Sequence, residues 1–212
     1  MHRQLQVVPD IAEAAASLIA AHRPRTLVLT GGETPLPLYR CLATMDLPWP
    51  EMEIFFGDER CVPPGHPDSN YGRAAEALLD RVAPARVYRM RGEDCAAEEY
   101  ERTLRARFGD VLPAFDLTLL GLGEDGHVAS LFPGDRAVEE RERWVLRVEH
   151  SDHARLTLTL PVLCASRTVL FLVSGDRKRE ALRQLLDDAA ILASRVIAHE
   201  VIVLADHAAS GG

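Results

Sequence analysis

Lysine and asparagine are almost missing from this 212-residue chain. Lys178 is the single lysine among 24 Lys and Arg residues, and Asn70 is the single asparagine. Such a bias towards arginine marks both positions as places where the particular side chain matters, because a compact ammonium and a planar guanidinium are not interchangeable. Excess positive charge is also lacking. A net charge of -8 argues against a general binder of nucleic acid or anionic membranes, whose phosphates select Lys and Arg. No apolar run approaches the roughly 18 residues of a membrane span, so no membrane partner is expected. The opening stretch MHRQLQVVPDIAEAAASLIAAHRPR lacks the charged start, apolar core and small-residue cleavage site of a secretory leader, and a cytoplasmic address is expected. Cys41, Cys61, Cys95 and Cys164 have neither CxxC nor CxxH spacing. That disfavours a zinc site, gives no disulfide framework, and leaves buried free thiols as the expectation. His2, His22, His66, His150, His199 and His207 form no metal spacing either and are expected at the surface or in packing.

What is present is the composition of an ordinary globular protein, 47% hydrophobic and 26% charged, with a length that fits one domain over residues 1–212. Asp10 reads as the N-cap of an Ala-rich helix ending before Pro24. Thr26–Thr30 is a short strand that breaks at Gly31-Gly32, and Pro35 suits the first turn of the helix that follows. Glu53–Phe56, Arg86–Met90, Phe115–Leu120, Thr168–Val173 and Val201–Leu204 read as further strands, with Trp144–Val148 and Leu156–Leu160 alternating as half-exposed ones. Helices are predicted over Arg73–Val82, Cys95–Phe108 and Arg177–Leu186, and Gly57–Gly72 as a long loop. Strands alternating with helices predict an α/β protein, a single-domain three-layer Rossmann-like sandwich with a mainly parallel sheet.

The segment FDLTLLGLGEDGHVASLFPG, residues 115–134, ends an apolar strand in a glycine-rich loop, the place where open α/β sheets bind ligands. Gly121, Gly123 and Gly126 match a dinucleotide fingerprint, but the motif lies mid-chain and Pro133-Gly134 stops any long helix, so that reading fails on context. His127 is the candidate general base, with Asp125 placed to orient its ring or to serve as a turn residue. The Gly31-Gly32-Glu33-Thr34-Pro35 turn offers open backbone amides at a helix start, a cradle for phosphate or plain turn punctuation. Arg60, Arg155 and Lys178 are candidate phosphate ligands, each with solvated surface charge as the alternative. Asp58 and Glu59 read as structural, and Asp68-Ser69-Asn70 as cap and turn chemistry. Ser151, Asp152 and His153 hold triad residue types without triad geometry or a G-x-S-x-G elbow.

Taken together, TGGETP, FGDERCVPPGHPDSNYG, FDLTLLGLGEDGHVASLFPG, RLTLTLP and VSGDRKREAL resemble the 6-phosphogluconolactonase family over roughly residues 9 to 206. The resemblance implies a NagB-like fold and metal-independent, cofactor-free hydrolysis of 6-phospho-D-glucono-1,5-lactone, a sugar-phosphate lactone of the oxidative pentose phosphate pathway. It implies His127 and Asp125 at the hydrolytic centre, with Gly31, Gly32, Thr34, Arg60, Arg155 and Lys178 holding phosphate, in a monomer or weak homo-oligomer. Glu33 takes the place of the small or hydroxyl residue common in the family's GGSTP turn. The related glucosamine-6-phosphate deaminases look like DGHIAFNEPG at the matching block. There Phe132 stands where they carry the Glu needed for ring opening, and a Phe cannot shuttle protons. A non-catalytic sugar-phosphate sensor is the alternative from another class, but no basic helix-turn-helix segment accompanies the domain.

Overall fold

The computed structural model describes residues 3–187, 189 and 191–211. The chain runs through β1 (Gln4–Val7), α1 (Ile11–His22), β2 (Thr26–Leu29), α2 (Pro35–Leu42), β3 (Glu53–Phe56), β4 (Asp58–Arg60) and α3 (Asn70–Ala74), which continues as a π-helical turn over Ala75–Leu79. It goes on through β5 (Arg86–Val87), α4 (Ala97–Phe108), β6 (Leu117–Gly121), β7 (Val145–Val148), β8 (Arg155–Leu158) and α5 (Leu160–Cys164). The last elements are β9 (Thr168–Val173), α6 (Arg179–Leu186), β10 (Glu200–Ala205) and α7 (His207–Ser210).

Among the described residues, seven strands form one sheet in the order β1-β10-β9-β6-β2-β3-β5 with every pairing parallel. A parallel sheet covered on both faces needs apolar residues at consecutive positions. TLVL of β2 and TVLFLV of β9 are buried throughout, as expected from their continuous hydrophobic runs. The α/β reading and its parallel sheet are therefore correct. Successive strands spread outwards in opposite directions from the neighbours β2 and β6, which makes their carboxyl ends the topological switch point of the sheet.

Local signals hold where chemistry is local. Asp10 caps α1 by accepting from the amides of Ala12 and Glu13 at 2.8 and 3.1 Å, and Pro35 begins α2. Two departures from the expectations come from long-range pairing. Asp58–Arg60, predicted as loop, is drawn into a second, antiparallel sheet of order β4-β8-β7. β8, predicted half-exposed, is buried at all four positions because it is the middle strand of that sheet. The helix predicted from Arg73 begins three residues earlier, since Ser69 caps it by accepting from the Gly72 amide. The thiol expectation is corrected as well: Cys61 and Cys95 are joined in a disulfide with Cα atoms 5.0 Å apart, while Cys41 and Cys164 are free and half-buried.

Candidate active site

The glycine turns after β2 and β6 face one another across the switch point. The β2 turn is fixed from below. Tyr39 in α2 donates to the Thr30 carbonyl at 2.6 Å and accepts from the Thr30 amide at 3.0 Å, which ties the start of α2 to the end of β2. Among the described residues the amides of Gly31, Gly32, Glu33 and Thr34 have no acceptor, and Thr34 makes no side-chain capping bond. Donors left open at a helix start form an anion site. Gly31 is obligatory for a packing reason, because a Cβ there would collide with the Asn70 carboxamide. Glu33 is exposed and ion-paired with Arg73, and it lines the same cavity as the turn's open amides.

The loop after β6 is folded over the histidine. The Gly123 amide donates to the His127 carbonyl at 2.9 Å, and a Cβ on Gly123 would strike the His127 ring. Asp125 Oδ1 meets His127 Nδ1 at 2.7 Å and also accepts the His127 amide at 3.1 Å. Burial tends to raise the Asp125 carboxyl, but the His127 amide, ring and charge more than offset it and hold it below the ordinary aspartate range. An ionised Asp125 can only accept, so Nδ1 carries the hydrogen and Nε2 keeps its lone pair. Just beyond, Val128 and Leu131 close a tight turn at whose first corner Ala129 has φ 50°. A non-glycine residue in the left-handed region stores about 1–2 kcal/mol of backbone strain, a feature that clusters at functional sites.

His127, Gly31, Gly32, Thr34, Arg60, Arg155 and Lys178 line one cavity of about 400 Å³. Asp125 does not line it and stands behind the imidazole. Arg60 and Arg155 are direct cross-strand partners of β4 and β8. Like charges opposite one another are unfavourable unless something neutralises them. Arg155 is bound by Asp152 at 2.8 Å and Arg60 donates to the Asp68 carbonyl at 2.8 Å, yet the Nε of each is buried without an acceptor among the described residues. Lys178 is half-buried and lacks an ion-pair partner among the described residues. It lies in a 3-10 turn, Asp176–Lys178, and not in the first turn of the helix as expected. Asp206 holds that turn by accepting from Ser174 Oγ at 2.6 Å and from the Gly175 amide at 3.0 Å.

Three residues did more than the sequence suggested. Asp58, read as structural, lines the cavity and binds Ser130 Oγ at 2.7 Å and Asn70 Nδ2 at 3.1 Å. Asn70 is not the helix cap; its side chain braces Asp58 beneath Gly31, and its scarcity in the sequence was the one available signal. Ser130, fully buried, completes this bracket. Glu59 is structural as expected: it accepts from the amides of Arg60, Asn70 and Tyr71 and from Ser69 Oγ. Phe132 packs between His127 and His150, with ring centroids 4.9 and 4.6 Å away.

Comparison with known proteins places this geometry in context. Residues 3–203 match the model of a family described as glucosamine-6-phosphate isomerases/6-phosphogluconolactonase. A 6-phosphogluconolactonase of Nostoc is 41% identical over 174 residues, covering 78% of this chain and 72% of the relative. The human 6-phosphogluconolactonase is 39% identical over 193 residues, with 84% and 75% covered. Among solved structures, a 6-phosphogluconolactonase from Thermotoga maritima superimposes with TM-score 0.85 at 30% identity, covering 97% of this chain and 99% of that one.

Proposed function

The chain belongs to the family of glucosamine-6-phosphate isomerases and 6-phosphogluconolactonases, and from that membership we propose that it hydrolyses 6-phospho-D-glucono-1,5-lactone to 6-phospho-D-gluconate. His127 Nε2 takes a proton from water as the water oxygen attacks the lactone carbonyl carbon. The tetrahedral oxyanion then collapses and breaks the bond from that carbon to the ring oxygen. The imidazolium returns the proton to the departing ring oxygen, and the new carboxylic acid loses its own proton to solvent. Asp125 keeps the imidazole in the tautomer that leaves Nε2 free. Amides of the glycine turns stabilise the oxyanion, a contribution of about 3–4 kcal/mol per donor in other enzymes.

The observation that carries this reading is a half-buried imidazole backed by a carboxylate and sharing one cavity with an arginine pair whose Nε donors are unsatisfied. The phosphate binds across Gly31, Gly32, Thr34, Arg60, Arg155 and Lys178, which removes the repulsion between the two guanidinium groups. Holding this remote group aligns the carbonyl with the base, so binding energy gained away from the reacting bond lowers its barrier. The reaction needs neither metal nor cofactor, and residues 1–212 act as one domain, as a monomer or weak homo-oligomer in the cytoplasm. Phe132, an apolar ring against His127, favours lactone hydrolysis over deamination, which requires a second proton carrier.

The test is an assay with freshly generated 6-phosphogluconolactone, spontaneous hydrolysis subtracted, run beside glucosamine 6-phosphate. Hydrolysis of the first with no ammonia from the second is expected. Ammonia release without lactonase activity overturns the proposal.

A further inference from the structure

His66, Asp68 and His153 form a cluster that the lactone chemistry does not use. His66 and Asp68 come from the loop between β4 and α3, and His153 from the turn between β7 and β8. Their ligating atoms all lie within 4.8 Å of one another. His153 Nε2 is 3.1 Å and His66 Nδ1 is 3.7 Å from the same carboxylate oxygen, Asp68 Oδ2. The two imidazoles meet edge to face, centroids 5.3 Å apart. The Asp68 amide donates to His66 Nδ1 at 3.2 Å, so that nitrogen carries a lone pair, and metal ligation at Nδ1 exchanges this amide bond for the ion. Ligands about 2 Å from a tetrahedral ion stand about 3.3 Å from one another, so modest rotations of these side chains complete the arrangement.

We propose that His66, Asp68 and His153 bind a divalent transition cation of the Zn²⁺ or Ni²⁺ type. Two imidazoles and one carboxylate suit such ions, whereas Mg²⁺ and Ca²⁺ prefer all-oxygen sites. The remaining coordination positions are open to water. The ion staples the loop after β4 to the turn before β8. Arg60 and Arg155 lie at those two strand ends, and Arg60 Nη1 already rests on the Asp68 carbonyl at 2.8 Å. Occupancy therefore sets the spacing of the arginine pair and leaves proton transfer at His127 alone. Sequence spacing cannot reveal the site, because its third ligand arrives 85 residues after Asp68.

The test is calorimetric titration of the whole chain with Zn²⁺ alone, free of chelator and thiol, with circular dichroism of each variant. One ion per chain is expected, with Kd raised at least tenfold in His66→Ala and in His153→Ala and unchanged in His127→Asn, which perturbs an imidazole–carboxylate pair outside the cluster. His153→Gln, which keeps a polar side chain but loses the ligating nitrogen, substitutes if the alanine variant does not fold. Wild-type affinity in either histidine variant, no defined stoichiometry, or loss of binding in His127→Asn overturns the site.

Discussion

In the proposed mechanism Asp125 and Lys178 act on different parts of one reaction, and kinetics can separate them. Asp125→Asn keeps the shape but can present an amide hydrogen to Nδ1, which stabilises the tautomer with its proton on Nε2 and removes the free lone pair. The expected result is a fall in kcat of roughly 10²–10⁴-fold, the range of general-base contributions, with KM nearly unchanged. Lys178→Ala should act mainly on binding, raising KM several-fold with a smaller fall in kcat, because the phosphate it holds also aligns the carbonyl; steady-state rates over a range of lactone concentrations give both. The placement of His127 beside Asp125 at the cavity was legible in the sequence because residue type, glycine turn and strand end lie within a few positions. The roles of Asp58 and Asn70 were not. Asp58 reads as a loop acid until β4 pairs with β8, and Asn70 reads as a cap until Ser69 is seen in that role.

At the scale of elements, one buried carboxylate joins α4 to the antiparallel sheet. Glu101 accepts from the Trp144 and Val145 amides at 3.0 and 3.3 Å and pairs with Arg105 and Arg143 at 2.9 and 3.3 Å. Burial pushes its carboxyl up, but Arg105, the two amides and Arg143 outweigh that and hold it below the usual glutamate range. A depressed folded pKa means stability that is present above the unfolded value and lost as pH falls through the folded one. Glu101→Ala should cost about 2–4 kcal/mol at neutral pH, since two buried amides lose their acceptor. The difference from wild type should shrink as the pH drops below about 4. Urea midpoints at several pH values measure both, and a gap that widens in acid contradicts the assignment. The inner strands of the parallel sheet were legible because they are nearly continuous apolar runs, whereas the edge strand β1, QLQV and mostly exposed, was not read as a strand and forms only by pairing with β10. β4 was not legible either, being three charged residues that become a strand only through partners nearly a hundred positions away.

At the scale of the whole molecule, the parallel sheet fixes two glycine turns at its switch point, and the small antiparallel sheet brings the arginine pair over them. The Cys61–Cys95 bond ties this second sheet to the segment before α4. Closing a loop of 34 residues stabilises by about 4 kcal/mol in the chain-entropy model. Thermal melts with and without a thiol reductant should therefore differ by several degrees, and identical melting temperatures would show that the bond does not form. The pairing escaped the sequence because nothing local distinguishes Cys61 and Cys95 from the two free thiols. The site assembled by these sheets stands or falls with its histidine. The most direct measurement is turnover of freshly generated 6-phosphogluconolactone by His127→Ala beside wild type, with the spontaneous rate subtracted and binding of 6-phosphogluconate followed separately. Retained product binding with a kcat at least a hundredfold lower is expected; a near-normal kcat would contradict the role of His127 as the base.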